Sequence, residues 1–259
     1  MKLRWLTVLG TFLGLTSMSG AEDFRDLLEK KTFADAKGAE LKYRLMKPAD
    51  LSADRKYPLV IFLHGAGERG DDNDAQLKHG VKEFAKDENR KKYACFLIAP
   101  QCPKNPASWA SFRRNPSAEE TNKPTEPLRL TLELVDSLVK ELPIDADRIY
   151  ITGLSMGGYG TWHALALRPE FFAAAVPICG GSDLKAAEKI KHVPIWVFHG
   201  DKDNAVPVAR SREMVEALKK AGGEPKYTEY PGVGHNSWDK AYADPEMFAW
   251  LFAQKRKKS

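Results

Sequence analysis

The amino-acid sequence predicts an α/β domain: a doubly wound, mostly parallel sheet with helices on both faces and no large cap domain. Strand-like and helix-like runs alternate from about residue 40 to the end, which implies βαβ units with right-handed crossovers. Several strand-like runs are continuously apolar, as a parallel sheet covered on both faces requires. One tight glycine-bounded turn, Gly153-Leu154-Ser155-Met156-Gly157, joins a strand-like run directly to a helix-like one.

In chain order, Leu41 to Met46 is the first expected strand, and Pro58 to Leu63 and Ala94 to Ala99 are buried ones. Arg129 to Leu142 carries Leu130, Leu134, Leu138 and Leu142 on one stripe, the spacing of an amphipathic helix ended by Pro143. Arg148 to Thr152 is β-branched and aromatic, and Gly158 to Leu167 is helical. Then follow strands at Ala173 to Ile178 and Ile195 to Phe198, a helix at Val208 to Lys220 stopped by Gly222-Gly223, a strand at Lys226 to Tyr230 and a closing helix at Pro245 to Gln254. Pro100 to Pro127 is too polar for core and too long for a plain connection, so it is expected to wall the pocket.

The chain of 259 residues, 43% of them apolar, suits one large domain, read as residues 22–259. Residues 1–21 read as a signal peptide: Lys2 and Arg4 precede an apolar stretch from Leu6 to Leu15, and Ser19-Gly20-Ala21 supplies small residues for cleavage. A secreted or periplasmic protein without a stable membrane anchor follows, since the apolar stretch is too short to span a bilayer. Losing Lys2 and Arg4 lowers the formal charge from +5 to +3, too little and too evenly mixed with acids for nucleic-acid binding. The closing Lys255-Arg256-Lys257-Lys258 reads as a solvated tail. Cys95, Cys102 and Cys179 allow one disulfide at most, with Cys95–Cys102 a conceivable pair, and lack the spacing of a zinc site.

The chemistry gathers at three strand ends. Gly153-Leu154-Ser155-Met156-Gly157 is a G-x-S-x-G turn that lifts the Ser155 hydroxyl clear of the sheet beside a helix N-terminus. Such a serine needs a base, and the base an orienting acid; in doubly wound hydrolases they follow in the order acid, then histidine. His199-Gly200-Asp201-Lys202-Asp203 follows one strand and Gly234-His235 follows the last. His235 is therefore the expected base; His79, His163, His192 and His199 lie before the final strand. Backbone N–H groups must receive the oxyanion, and the amide of Met156, next to the nucleophile, is the first candidate.

The chain resembles an α/β-hydrolase of the esterase/phospholipase/dienelactone-hydrolase type, within it the secreted bacterial branch labelled predicted peptidase or feruloyl-esterase-like. The matching elements are Leu63-His64-Gly65-Ala66-Gly67-Glu68-Arg69-Gly70, Gly153 to Gly158, His199 to Pro207 and Gly234-His235, spread over about residues 40 to 253. The resemblance implies that Asp203, in D-x-x-V-P, is the acid, with Asp201 as the alternative or a loop cap. It also implies that the Ala66 amide is the second oxyanion donor, Gly65 and Gly67 permitting the close approach. His64 would brace that loop or touch substrate. Glu68 and Arg69 would form a loop-locking ion pair or recognise a polar substrate. Trp109 and Trp238 would line the pocket or pack in the core.

These residues point to a serine esterase acting on a small-molecule or carbohydrate-linked ester, with feruloyl or acetyl groups of plant polysaccharides implied by the resemblance alone, and with no metal or organic cofactor required. A prolyl-oligopeptidase-like peptidase and a non-catalytic binding module on the same scaffold are the competing readings.

Overall fold

Eight strands form one sheet in the order β1-β2-β4-β3-β5-β6-β7-β8 in a computed structural model that describes residues 23–104, 107–111 and 117–256. The strands are β1 Leu28–Ala34, β2 Glu40–Met46, β3 Tyr57–Leu63, β4 Phe96–Pro100, β5 Ile144–Leu154, β6 Ala174–Ile178, β7 Trp196–Gly200 and β8 Lys226–Tyr230. β1 and β2 are antiparallel to their neighbours and the rest pair in parallel, so the predicted fold class holds. The expected signal peptide, 1–21, lies outside the described residues.

The inner parallel strands β3, β4, β6 and β7 are buried throughout because helices cover both faces. The helices in chain order are α1 Val81–Ala85, α2 Asp87–Lys92, α3 Ala118–Asn122, α4 Glu126–Glu141, α5 Met156–Leu167, α6 Ala186–Ile190, α7 Ala209–Lys220, α8 Trp238–Ala243 and α9 Pro245–Ala253. Along β3, Leu59, Ile61 and Leu63 join a core with Leu128, Leu134 and Leu138 of α4, Trp162 of α5 and Met214 of α7. Val60 and Phe62 point the other way, into a core with Phe84, Tyr242, Phe248 and Leu251. The alternation is the period of two of a strand covered on both sides.

Local departures from expectation have local causes. β1 precedes the first expected strand; only Leu28 is buried, Lys31 and Phe33 are half-buried and the rest exposed, so no alternating apolar signal marks it. It ends the sheet with lysines at Lys30 and Lys31, which discourage edge pairing. Pro58 sits inside a central strand, and the β3–β5 register slips between Tyr57 and Leu59 to accommodate its missing N–H. α4 begins at Glu126 rather than Arg129, because Pro127 is a favoured residue in the first turn. The tail is not simply solvated: Arg256 pairs with Asp147 at 2.9 Å and donates to the Glu170 carbonyl at 2.9 Å.

The Cys95–Cys102 bridge is excluded. All three cysteines are free and buried. Cys95 packs on one face of the sheet and Cys102 on the other, at opposite ends of β4. Seven residues of extended chain span about 20 Å, against a Cα separation of about 7 Å or less in a disulfide. Burial pushes both thiols up to about 12.

Candidate active site

β5 ends at Leu154 and α5 starts at Met156, so Ser155 alone turns the chain. It does so at φ 52°, ψ −114°, a conformation rarely adopted by residues with a Cβ. Its N–H donates to the Ile178 carbonyl at 3.0 Å, which fixes the turn against β6. Room for the turn comes from its glycines. A Cβ on Gly153 would lie 2.4 Å from the Gly157 carbonyl oxygen, and one on Gly157 only 1.9 Å from that of Leu63.

The structure brings together the three side chains expected from the sequence. Nε2 of His235 lies 2.9 Å from Ser155 Oγ, and its Nδ1 lies 2.7 Å from Asp203 Oδ2. A carboxylate can only accept, so Nδ1–H donates to Asp203 and the bare Nε2 faces the serine hydroxyl. Asp203 is itself held: Oδ1 accepts from the amides of Ala205 at 2.9 Å and Val206 at 2.8 Å. Its Oδ2 also lies 3.2 Å from Nε2 of His199, whose Nδ1 meets Ser211 Oγ at 2.7 Å. Both side chains are wholly buried, and burial holds His199 below the ordinary imidazole range. Asp201 is the loop cap: its Oδ1 accepts from Gly232 N–H at 2.7 Å, away from the imidazole.

Sheet register places the two candidate oxyanion donors. Leu63 of β3 lies opposite Gly153 of β5. Ala66 and Met156 each come three residues later, so both lie just beyond the carboxyl ends of adjacent strands. Both open helical turns, Ala66 a 3₁₀ turn to Glu68 and Met156 α5, and first-turn amides have no partner within the helix. Arg69 Nε donates to the Ala66 carbonyl at 3.0 Å and Nη1 to Ala107 at 3.3 Å, tying the turn to the next loop. Gly65 is tightly enclosed, whereas Gly67, expected to share that role, faces open space.

His64 is a brace. Cys102 N–H donates to its Nε2 at 2.9 Å, so Nδ1 carries the proton and donates to the Gly65 carbonyl at 2.6 Å. Burial holds this imidazole at about 4, against an opposing pull from the Gly65 carbonyl. In an unfolded chain it titrates near 6.5, so below that pH the unfolded state takes up a proton that the fold refuses. Stability should therefore fall as pH drops from about 6.5 to about 4, by about 3 kcal/mol from this group. Burial lowers His163 and His199 in the same direction. Urea unfolding at pH 7 and pH 5 checks this. His64→Gln, whose amide can donate and accept but not titrate, should lose about 2 kcal/mol less over that interval; an equal loss would contradict the assignment.

The pocket candidates separate. Trp109 is core, not wall: it is fully buried, its indole N–H donates to the His64 carbonyl at 3.1 Å, and its Cβ fills the space above Gly160. Trp238 is half-buried with its ring 5.1 Å edge-on to His235 and 5.3 Å from His79. Glu68 is buried, and among the described contacts its carboxylate meets His79 at 3.7 Å rather than Arg69. The grouping of Glu68, His79 and Trp238 beside the base was not foreseen; His79 carries no local motif that marks it.

Among the described residues, Cys179, Asp203 and His235 place ligand-type atoms within 4.8 Å of one another. Two of them already bind each other, and burial holds the Cys179 thiol protonated, its Sγ 3.7 Å from the His235 carbonyl.

An open, mostly parallel sheet with a serine raised on a strand-to-helix turn defines an α/β-hydrolase. The phospholipase/carboxylesterase family profile matches residues 50–249, and the chain belongs to that family. A solved structure described as a thermostable esterase is 46% identical, with a TM-score of 0.84 over 90% of this chain and 64% of that one. A Bacillus subtilis protein named an uncharacterized peptidase, YuxL, is 23% identical over 80% of this chain and 35% of its own length. A bifunctional acetylxylan esterase/xylanase of Neocallimastix patriciarum is 26% identical over 74% of this chain and 26% of its own. The chain thus spans about a third or less of these two curated relatives.

Proposed function

We propose that the protein is a secreted serine esterase. In this reading His235, oriented by Asp203, takes the Ser155 proton as the serine attacks an ester carbonyl. The amides of Met156 and Ala66 hold the tetrahedral oxyanion, and His235 returns the proton to the leaving alcohol. Water, activated by the same imidazole, then releases the acid from the acyl-enzyme. The continuous hydrogen-bond chain from Ser155 through His235 to Asp203 carries the proposal. The chain's similarity to a protein named an acetylxylan esterase/xylanase favours acetyl esters of plant polysaccharide; feruloyl esters rest on the family resemblance of the sequence alone. Export rests on residues 1–21 alone; among the described residues no helix is long and apolar enough to cross a membrane.

Removing one oxyanion donor tests the arrangement without touching the serine. Ala66 opens its 3₁₀ turn, where proline fits, and Gly65 before it is extended (φ −77°, ψ 177°), as a residue preceding proline must be. Ala66→Pro deletes the N–H and should lower kcat on p-nitrophenyl acetate by about 10²- to 10³-fold with KM little changed. An unaltered kcat would remove Ala66 from the site. A peptidase is the second reading, supported by the name of the Bacillus relative. Rates on methyl ferulate, p-nitrophenyl acetate and a peptide amide decide between them; faster amide cleavage would favour the peptidase.

A further inference from the structure

Asp203 holds the His235 imidazole at Nδ1, a single bond about which the ring, 29% exposed, is still able to rock. Its second support is Trp238, whose ring meets the imidazole edge-on at a centroid distance of 5.1 Å. Trp238 opens α8, three residues after His235. The helix is fixed one turn further on. There Tyr242 is buried against Phe62 and Phe84 and shares a hydrogen bond of 2.9 Å with Thr152 Oγ1 of β5.

Behind Trp238 lies His79, with ring centroids 5.3 Å apart. Gly80 makes that approach possible. At φ 75° it turns the chain against α8, where a Cβ would fall 2.6 Å from the Tyr242 ring and 2.8 Å from that of Phe62. Behind His79 in turn is Glu68, its Oε1 3.7 Å from Nε2. Glu68 is 6% exposed, and among the described residues no N–H or O–H lies within hydrogen-bond distance of its carboxylate. A carboxylate withdrawn from water needs a donor or a counter-charge, and His79 is the group within reach. The backbone of Glu68 is held: its N–H donates to the Gly65 carbonyl at 3.3 Å, and its carbonyl accepts from the buried Gln101 amide at 3.2 Å. Glu68 closes the 3₁₀ turn that Ala66 opens, so the series Glu68, His79, Trp238 runs from the oxyanion loop to the base.

Building on the esterase reading, we infer that Glu68, His79 and Trp238 are positioning residues: Glu68 anchors His79, His79 backs Trp238, and Trp238 holds the His235 imidazole where it hands its proton to the leaving alcohol. A misplacement of about 1 Å costs on the order of a hundredfold. The loss should fall where proton transfer matters most. Both p-nitrophenyl acetate and ethyl acetate need His235 as base, but only ethyl acetate needs it also as acid, because p-nitrophenolate leaves without a proton.

The test compares kcat/KM, which reports acylation, for these two esters. Trp238→Leu should lower it for ethyl acetate at least tenfold more than for p-nitrophenyl acetate. Trp238→Phe, which keeps a ring, should keep most of the wild-type ratio, since the indole N–H has no hydrogen-bond partner among the described residues. Glu68→Gln and His79→Leu should show the same skew, roughly three- to tenfold. Glu68→Gln added to Trp238→Leu should cost nothing further, because it acts through the ring already removed. Should Trp238→Leu fail to fold, His79→Leu, at a partly exposed position, carries the comparison. An unaltered ratio, an equal fall for both esters, or additive losses in the double variant overturns the inference. Turnover of p-nitrophenyl acetate by the wild type, lost in Ser155→Ala, reports the serine chemistry separately: its absence sinks the esterase reading, its presence without the skew sinks only this one.

Discussion

Ser155→Ala should lower kcat on p-nitrophenyl acetate by about 10⁴- to 10⁶-fold while the protein folds as before. The size of the loss follows from the way the three groups act as one unit. His235 has its Nδ1 proton committed to Asp203 and its free Nε2 placed to accept the proton of the Ser155 hydroxyl. Without that oxygen no acyl-enzyme forms, and only the oxyanion donors and substrate binding remain. The fold should not suffer, because Ser155 holds its turn through backbone groups, its N–H to Ile178 and its carbonyl to Tyr159. Steady-state kinetics with circular dichroism on the same preparation checks both halves. Retention of more than about a hundredth of the wild-type rate would mean another nucleophile.

Gly157→Ala should be the most damaging single-methyl change in the molecule. Its Cβ would fall 1.9 Å from the Leu63 carbonyl oxygen and 2.5 Å from the carbonyl carbon. Neither atom can yield cheaply, since β3 is bonded on both sides, to β4 and to β5, and α5 is buried on almost every side. The helix would have to lift from the sheet, carrying Ser155 and the Met156 amide out of line with His235. A loss above about 4 kcal/mol is expected, or roughly 10 °C in melting temperature for a domain of this size. Gly67→Ala, in the neighbouring loop but facing open space, should shift stability by no more than about 0.5 kcal/mol. Thermal unfolding of the pair measures the contrast; similar melting temperatures would contradict the packing described for α5.

The site was legible in the sequence because each part carries a local signature at a strand end. A serine between glycines, a D-x-x-V-P loop and a Gly-His pair each mark the carboxyl end of a parallel strand, and the sheet brings them together. β1 was not legible, since a half-exposed edge strand such as Leu28–Ala34 leaves no apolar rhythm to read. Trp109 misled for a related reason: its polar, proline-rich neighbours suggested a pocket wall, but the side chain is fully buried with its Cβ against Gly160. The Glu68–His79–Trp238 group depends on residues distant in sequence meeting in space, and no spacing rule predicts it. The imagined Cys95–Cys102 bridge failed on strand geometry, the two residues lying on opposite faces of β4's sheet.

A fluorophosphonate reagent followed by peptide mass spectrometry tests most directly whether His235 and Asp203 make Ser155 a nucleophile. One covalent adduct should appear, on the peptide carrying Ser155, and it should be lost in Ser155→Ala and slowed by at least a hundredfold in His235→Ala. A folded wild-type protein that takes no label, or takes it on a different residue, would contradict the account.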